Sequence, residues 1–420
     1  MKFDFRHSLV LVISLICLGN PLRGEEPDFS LDPESVKDFM INHADLLEFL
    51  KDRVILNGDV SITGTGKDSF TLVTPRLESV KDSNDEFSVI ETFGVSKLIS
   101  EKYILMADKM YFRKVKSARF NQLEAIGSIH IEAVDQRQKL IAEKVYFDLE
   151  SKKLHAVGNV HSEQLVETNG KLSLAKLDAE DQIINLFEDR PDQLAKQIEA
   201  KGNTHTEFDG IKVQSEQTDF YAQGGKADKV VFSGAAELTT PDQVHAQGEQ
   251  IEYFLNESLI KIRSRTNLNP SQETENAFLV IPFNDKDGKI SQLAVQAEYI
   301  ENHELAAQKR NLLYAEQTSH TGLVRLDYQQ QRGYGRQLFI VQDKSIPDQK
   351  GDFLYLIDKA KIIDLTNKQI LEAPFIKIGL GDRSLLSGIT GRSHGVILLK
   401  KDPSGSLGFA SDTPNQKTKK

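Results

Sequence analysis

Lys153-Leu154-His155-Ala156-Val157-Gly158-Asn159-Val160-His161-Ser162-Glu163 is the stretch that decides the fold class. In an extended chain, alternate residues share a face. Leu154, Ala156, Gly158 and Val160 then fall on one side, with His155, Val157, Asn159 and His161 on the other. The first side is mostly apolar, which is the pattern of a half-buried strand. Gly158 weakens such a strand and marks a bulge, a bend or a close approach of backbone.

The same phrase returns along the chain. Gly127-Ser128-Ile129-His130-Ile131-Glu132 precedes it, Gly202-Asn203-Thr204-His205-Thr206-Glu207 follows, and Gly234-Ala235-Ala236-Glu237-Leu238 is a more degenerate copy. Gly127 and Gly158 lie 31 positions apart, and Gly202 and Gly234 lie 32 apart. Between them runs a second phrase, Leu140-Ile141-Ala142-Glu143-Lys144-Val145-Tyr146-Phe147 in one unit and Val213-Gln214-Ser215-Glu216-Gln217-Thr218-Asp219-Phe220 in the next. Met106 to Phe112 and Ala246 to Tyr253 carry related versions. A third phrase, Lys153 to Gly158 and Lys229 to Gly234, closes each unit. Repetition at a fixed period points to stacked supersecondary units, each too small to bury its apolar face alone. Turn signals such as Asp135-Gln136, Glu150-Ser151-Lys152 and Gln223-Gly224-Gly225 divide each unit into roughly three short strands.

Outward from the repeats, the pattern changes at both ends. Lys2 and Arg6 precede an apolar run from Leu9 to Leu18. At about ten residues it is too short to span a bilayer and reads as an export signal, so residues 1–24 are expected to be removed. Cys17, the only cysteine, lies inside it, so the mature chain is expected to have no disulfide and no thiolate chemistry. Residues 25–53 read as a tether followed by an amphipathic helix. Asp32-Pro33-Glu34 has the character of a helix start, and Val36, Phe39, Met40, His43, Leu46, Leu47 and Leu50 recur at helical spacing. From Val54 the period is two. Residues 54–266 form the repeat region, interrupted between Asp189 and Lys201 by a helical insert or long loop. Residues 267–276 read as a linker, residues 277–400 as a second β-rich region open to reading as a further jellyroll, and residues 401–420 as a disordered polar tail.

The repeat resembles that of the LptA/OstA family of periplasmic lipopolysaccharide-transport proteins, also found in LptC and in the periplasmic part of LptD. The shared order is Gly-small-Val, then apolar-x-Ala-Glu/Asp-x-apolar-x-aromatic, then Leu-x-Ala-x-Gly-x-Val. The match is good over Gly127 to Ile262, weaker over Val54 to Phe112 and faint after Asn276. The chain also exceeds the length of the family's bridge proteins.

The resemblance implies an all-β fold, an open antiparallel β-jellyroll whose curled sheet is V-shaped in cross-section, here with a short N-terminal helix. It implies a periplasmic protein, associated with the inner or the outer membrane, that conducts lipopolysaccharide or a related lipid along an apolar trough. Partners would be other jellyroll transport proteins joined end to end by strand pairing, and a homo-oligomer is allowed. The trough candidates carried over are Ile129, Ile131, Val145, Phe147, Leu154, Val160, Phe220, Val230, Phe232, Ile251 and Tyr253. Each is equally readable as an ordinary core residue, and the other functional class left open is a non-catalytic structural or adhesive scaffold.

Residues of catalytic type do not assemble into a motif. His303-Glu304 has no second histidine at zinc-helix spacing, and Asp285-Lys286-Asp287-Gly288 lacks the closing glutamate of a calcium loop. Gly379-Leu380-Gly381 has no helix pattern behind it. The repeat histidines His130, His155, His161 and His205 read as outward polar positions, and Arg325 with Gly333 to Arg336 as a loop beside a strand, the alternative being cations near an anionic head group. No enzyme activity, cofactor or metal is expected. A net charge of −10 with interspersed signs argues against a nucleic-acid partner.

Overall fold

The computed structural model describes residues 38–409 apart from 66–69, 85–86, 102, 116–119, 149–150, 152, 169–170, 186–193, 209, 224–225, 255–256, 258, 265–275, 285–289, 306–307, 319–321, 344, 346–351, 367, 380–383, 390–392 and 402–406. The expected signal, tether and calcium-like loop lie outside the described residues, as do all but Asn276 of the expected linker. The chain divides into two compact units, residues 1–233 and 234–420. Among the described residues every regular element is a strand, and neighbouring strands run antiparallel.

The first unit begins with β1 (Asp38–His43), β2 (Leu46–Phe49), β3 (Arg53–Thr65), β4 (Phe70–Lys81) and β5 (Phe87–Phe93). Then come β6 (Ser96–Ser100), β7 (Tyr103–Ala107), β8 (Lys109–Arg113), β9 (Gln122–Ala133) and β10 (Gln138–Asp148). It continues through β11 (Lys153–Thr168), β12 (Lys171–Asn185), β13 (Leu194–Phe208) and β14 (Ile211–Gln223), and the boundary falls within β15 (Lys226–Thr239). From β9 to β14 each strand pairs with the next. Upstream, β4 pairs with β5 along one half and β6 along the other, and β9 does the same with β8 and β7. The short strands are therefore halves of longer ones, broken where the sheet bends.

The bend is written in the repeated glycine. Gly58-Asp59, Gly127-Ser128, Gly158-Asn159, Gly202-Asn203 and Gly234-Ala235 all hold two successive residues at positive φ, near +80° and then near +45°. Pairing slips by one residue at these points, for example between Val157 and Val160. An acid of the neighbouring strand lies across each of the first four glycines: Asp45 on Gly58, Asp108 on Gly127, Glu143 on Gly158 and Glu180 on Gly202. A Cβ at Gly158 would stand 2.6 Å from Glu143 Oε2, so only glycine fits. In the first unit the bulges align across the strands into one column, and the sheet folds along it into two limbs. Phe70 on one limb stacks on Phe112 of the other, with ring centroids 6.0 Å apart and planes 1° from parallel.

The expected N-terminal helix is not formed. Asp38–His43 and Leu46–Phe49 are strands on the edge of β3. A helix there would need a surface for its apolar face, whereas β3 offers an open hydrogen-bonding edge. The chain breaks at Ala44 and Asp45, where the Asp45 N–H donates to the carbonyls of Asn57 and Gly58. That break shifts the two-residue phase of the apolar positions, and the sum mimics helical spacing. Likewise Leu194–Lys201, expected as a helical insert or loop, belongs to β13.

The second unit contains β16 (His245–Phe254), β17 (Leu259–Arg263), β18 (Ala277–Asn284), β19 (Ile290–Ala297) and β20 (Tyr299–Leu305). It proceeds through β21 (Arg310–Glu316), β22 (Val324–Tyr328), β23 (Gln331–Gly335), β24 (Gln337–Asp343) and β25 (Phe353–Asp364). β26 (Gln369–Gly379), β27 (Ser384–Ile389), β28 (Ser393–Lys401) and β29 (Leu407–Phe409) complete it. β29, paired with β28, falls within the stretch expected as a tail. At the bend of β25 the two positive-φ residues are Asp358 and Lys359 in place of Gly-X. Arg336 bonds to the carbonyls of Ile357 and Asp358, and its Nε lies 3.2 Å from the Asp358 carboxylate. An ion pair thus replaces the acid-over-glycine contact.

Candidate functional site

The interior of the curled sheet is built by a parity rule. In β9, β11 and β13 the inward positions keep even spacing across the bulge, as in Leu154, Ala156 and Val160. In β10, β12 and β14 one residue is skipped, so Leu140 and Ala142 are followed by Val145. The skipped residue in β10 and β12 is the acid that covers the glycine, Glu143 or Glu180. Inward and outward faces therefore stay matched on both limbs.

Of the trough candidates in the first unit, Ile129, Ile131, Val145, Leu154, Val160, Phe220, Val230 and Phe232 are buried, and Phe147 is half-buried against the same cluster. Ile251 and Tyr253 are buried in the second unit. Ile129, Ile131, Val145, Leu154 and Val160 belong to one cluster that draws on both limbs. In this conformation the two limbs close on each other and the interior is packed with side chains.

One interior feature has no counterpart in the sequence reading. Thr204, Ser215 and Thr218 form a buried hydroxyl cluster, with Thr204 Oγ1 2.7 Å from both Ser215 Oγ and Thr218 Oγ1. Thr204 and Ser215 also donate to the carbonyls of Ser215 and Gln217. At another bend Ser96 donates to Thr74 Oγ1 at 2.9 Å, Thr74 and Ser96 also bond to the carbonyls of Arg76 and Gly94, and the Met110 N–H donates to the buried Thr92 Oγ1 at 2.8 Å. These hydroxyls satisfy backbone groups that the bulges remove from the ladder. The signal lay in the repeat itself, where Ser215 and Thr218 stand in place of Ala142 and Val145.

The outward face of the first unit is laced with ion pairs. Glu124 accepts from Arg113 Nη1 at 2.7 Å and faces Lys144 Nζ at 2.8 Å. Burial pushes its carboxyl up, but the two cations outweigh burial and hold it below the usual range. Asp219 is also buried, and Lys196 Nζ donates to its carboxylate at 2.9 Å. The repeat histidines face outward with polar partners. His155 lies 3.0 Å from Asp181, His130 3.4 Å from Glu132, and His205 Nδ1 2.8 Å from the Asn203 carbonyl. His161 is bracketed by Asp178 and Glu163; burial works against its charged form, but the two carboxylates together raise its pKa. Arg325 and Arg336, read as a loop beside a strand with a head-group contact as the alternative, lie in or beside strands and are engaged by Asp327 and Asp358.

No family model matches the sequence, and no curated protein matches it. Among solved structures, the chain is similar to the crystal structure of LptH, the LptA homologous periplasmic component of the conserved lipopolysaccharide transport device from Pseudomonas aeruginosa. The identity is 13%, the match covers 37% of this chain and 79% of that one, and the TM-score is 0.16.

Proposed function

We propose that the chain is a non-enzymatic periplasmic protein that binds lipopolysaccharide and conducts its acyl chains along the interior of the curled sheet, toward the outer membrane. The observation that carries this reading is the pair of opposed limbs with apolar inner faces, repeated strand after strand by the parity rule. An acyl chain gains about 0.8 kcal/mol for each CH₂ it buries. A dozen methylenes thus offer roughly 10 kcal/mol to offset the limb-to-limb packing that opening disrupts. The hinge for such opening is the glycine column, where the ladder is already interrupted. Support for export comes from the signal-like residues 1–24.

The reading extends to partners. Among the described residues β1 and β2 pair with β3 alone, and Met40, Ile41, Leu46, Leu47 and Phe49 stand exposed on that edge. An unpaired edge bearing apolar side chains is a template for strand addition, here by another jellyroll or a second copy. The close packing of Phe220, Val230 and Phe232 favours a second reading, a scaffold with a permanently filled core.

The two readings separate by photocrosslinking. A probe at Phe147, Phe220 or Phe232 is expected to capture lipopolysaccharide, while probes at the outward Lys144 and Lys201 capture none. A folded protein that fails to crosslink at all three interior positions, with other lipids also tested, refutes conduction and leaves the scaffold.

A further inference from the structure

The sheet of the second unit carries apolar side chains on both faces. Ile300, Leu313, Leu338, Leu354 and Ile376 fill the inner face. On the outer face the register aligns rings across three neighbouring strands, Tyr314 on β21, Phe339 on β24 and Tyr355 on β25, and Tyr299 on β20 stands diagonally beside Tyr314, two residues along from Glu301, the partner of Tyr314. Tyr299 and Tyr314 are 6.2 Å apart and Tyr314 and Phe339 4.7 Å apart, centre to centre. Three strand spacings make the row about 14 Å long. Arg263 lies over Tyr299 at one end, and at the other Tyr355 packs against Phe353 and Phe375, with Lys377 over Phe353 and Tyr355. The rings are half-exposed, unlike the inner residues. A cavity of about 290 Å³ lies beside the two central rings, lined by Glu301, His303, Tyr314 and Phe339 and otherwise by leucine, isoleucine and valine side chains.

The rim decides what can lie there. Glu301 accepts from the Tyr299 hydroxyl at 2.5 Å, and Glu316 and the Tyr314 hydroxyl are each within reach of the Gln337 amide, at 3.2 and 3.4 Å. Burial, and then these carboxylates, push both phenols up, so they remain neutral donors. An acyl chain covering the rings would cut two carboxylates off from water and leave each with one side-chain donor, the Tyr299 hydroxyl or the Gln337 amide, and its other lone pairs unsatisfied. An anionic ligand or anionic bilayer would meet Glu301 and Glu316 beside the central ring. The ligand that fits has an apolar face for the rings, hydroxyl donors along its edge for the carboxylates, and no negative charge. A pyranose has this form: C–H groups on its face and hydroxyls around its rim.

We infer that the outer face of the second unit is a binding site for a neutral pyranose glycan, seated along Tyr299, Tyr314, Phe339 and Tyr355 and held at its hydroxyls by Glu301, Glu316 and Gln337. The site is on the opposite face of the sheet from the interior and does not depend on lipid conduction.

The test uses the full chain with N-acetylglucosamine tetramer as probe, in titration calorimetry and saturation-transfer NMR. Binding is expected, with ring C–H protons receiving the saturation. Tyr314→Ala is expected to weaken it at least about tenfold, the loss of one stacking partner and its hydroxyl, while Tyr314→Phe stays closer to wild type. Unchanged thermal unfolding of both variants verifies the fold, and Phe339→Ala serves if Tyr314→Ala does not fold. Absence of binding to this probe and to cellotetraose overturns the proposal. So does unchanged binding in both alanine variants, or tighter binding of an acidic galacturonate oligomer. Sedimentation with phosphatidylglycerol vesicles that is lost in Tyr314→Ala, with no glycan binding, assigns the face to a membrane surface instead.

Discussion

Gly158→Ala puts the bend column to a direct test. At φ +83° an L-residue is strained by about 1–2 kcal/mol. The new Cβ would also meet Glu143 at Oε2, Cδ and Cβ, at 2.6, 2.8 and 2.9 Å. Moving Glu143 aside breaks its bond from Asn159 Nδ2, worth about 0.5–1.5 kcal/mol. The expected destabilisation is therefore about 2–3 kcal/mol. Glu143→Ala removes the two nearest atoms but keeps the Cβ at 2.9 Å, so Gly158→Ala in that background should cost the backbone strain plus this remaining contact, with a coupling of about 1 kcal/mol. The chain has no Trp, and Phe147→Trp places one half-buried reporter in the first unit, so its urea transition can be read separately from that of the second. A Gly158→Ala protein within about 0.5 kcal/mol of its parent refutes the argument, because such a value belongs to an ordinary surface site.

The same reporter reads the His161 bracket. With its folded pKa raised, His161 stabilises the first unit fully below its unfolded pKa, near 6.5, and this contribution is lost as pH rises through the folded value. Stability should thus decline from about pH 6.5 upward, and His161→Gln should remove that slope. Phe232→Ala, at a buried ring, should cost about 3–5 kcal/mol by chemical denaturation. Phe49→Lys, at a ring that is 75% exposed, should leave stability within about 0.5 kcal/mol. It should nevertheless abolish concentration-dependent self-association in sedimentation velocity, if the β1–β2 edge joins copies.

The strands of the repeat region were legible because their period of two is local and the glycine phrase returns, at 31 positions from Gly127 to Gly158 and 32 from Gly202 to Gly234. The conformation of those glycines was legible only in part. Leu154, Ala156 and Val160 do share a face, but through a bulge with Asn159 turned out between them, where plain alternation also places them. The N-terminus misled because a phase break at Asp45 joins two apolar edge segments into an apparent helical pattern. The outer ring row had a sequence signal in the unbroken apolar runs Leu338 to Val341 and Phe353 to Ile357. Only the cross-strand register aligns Tyr314, Phe339 and Tyr355, and register is not a property of any one strand. The hydroxyl clusters were hidden for a different reason: serine and threonine replacing alanine and valine look like surface residues until the backbone groups they serve are known.

The bend column also sets how such a chain can change length. Because each pair of strands crosses the column at the same place, removing residues 127–157 would join Ile126 to Gly158 with the turn, the acid positions and the inward parity all preserved. The shortened strand would meet the same kinds of neighbour on both limbs as before. Reach is therefore adjustable in whole hairpins of about thirty residues, by duplication or loss of a coding segment, without redesign of the interior. A loss of one residue within a repeat, by contrast, would turn the remainder of that strand inside out.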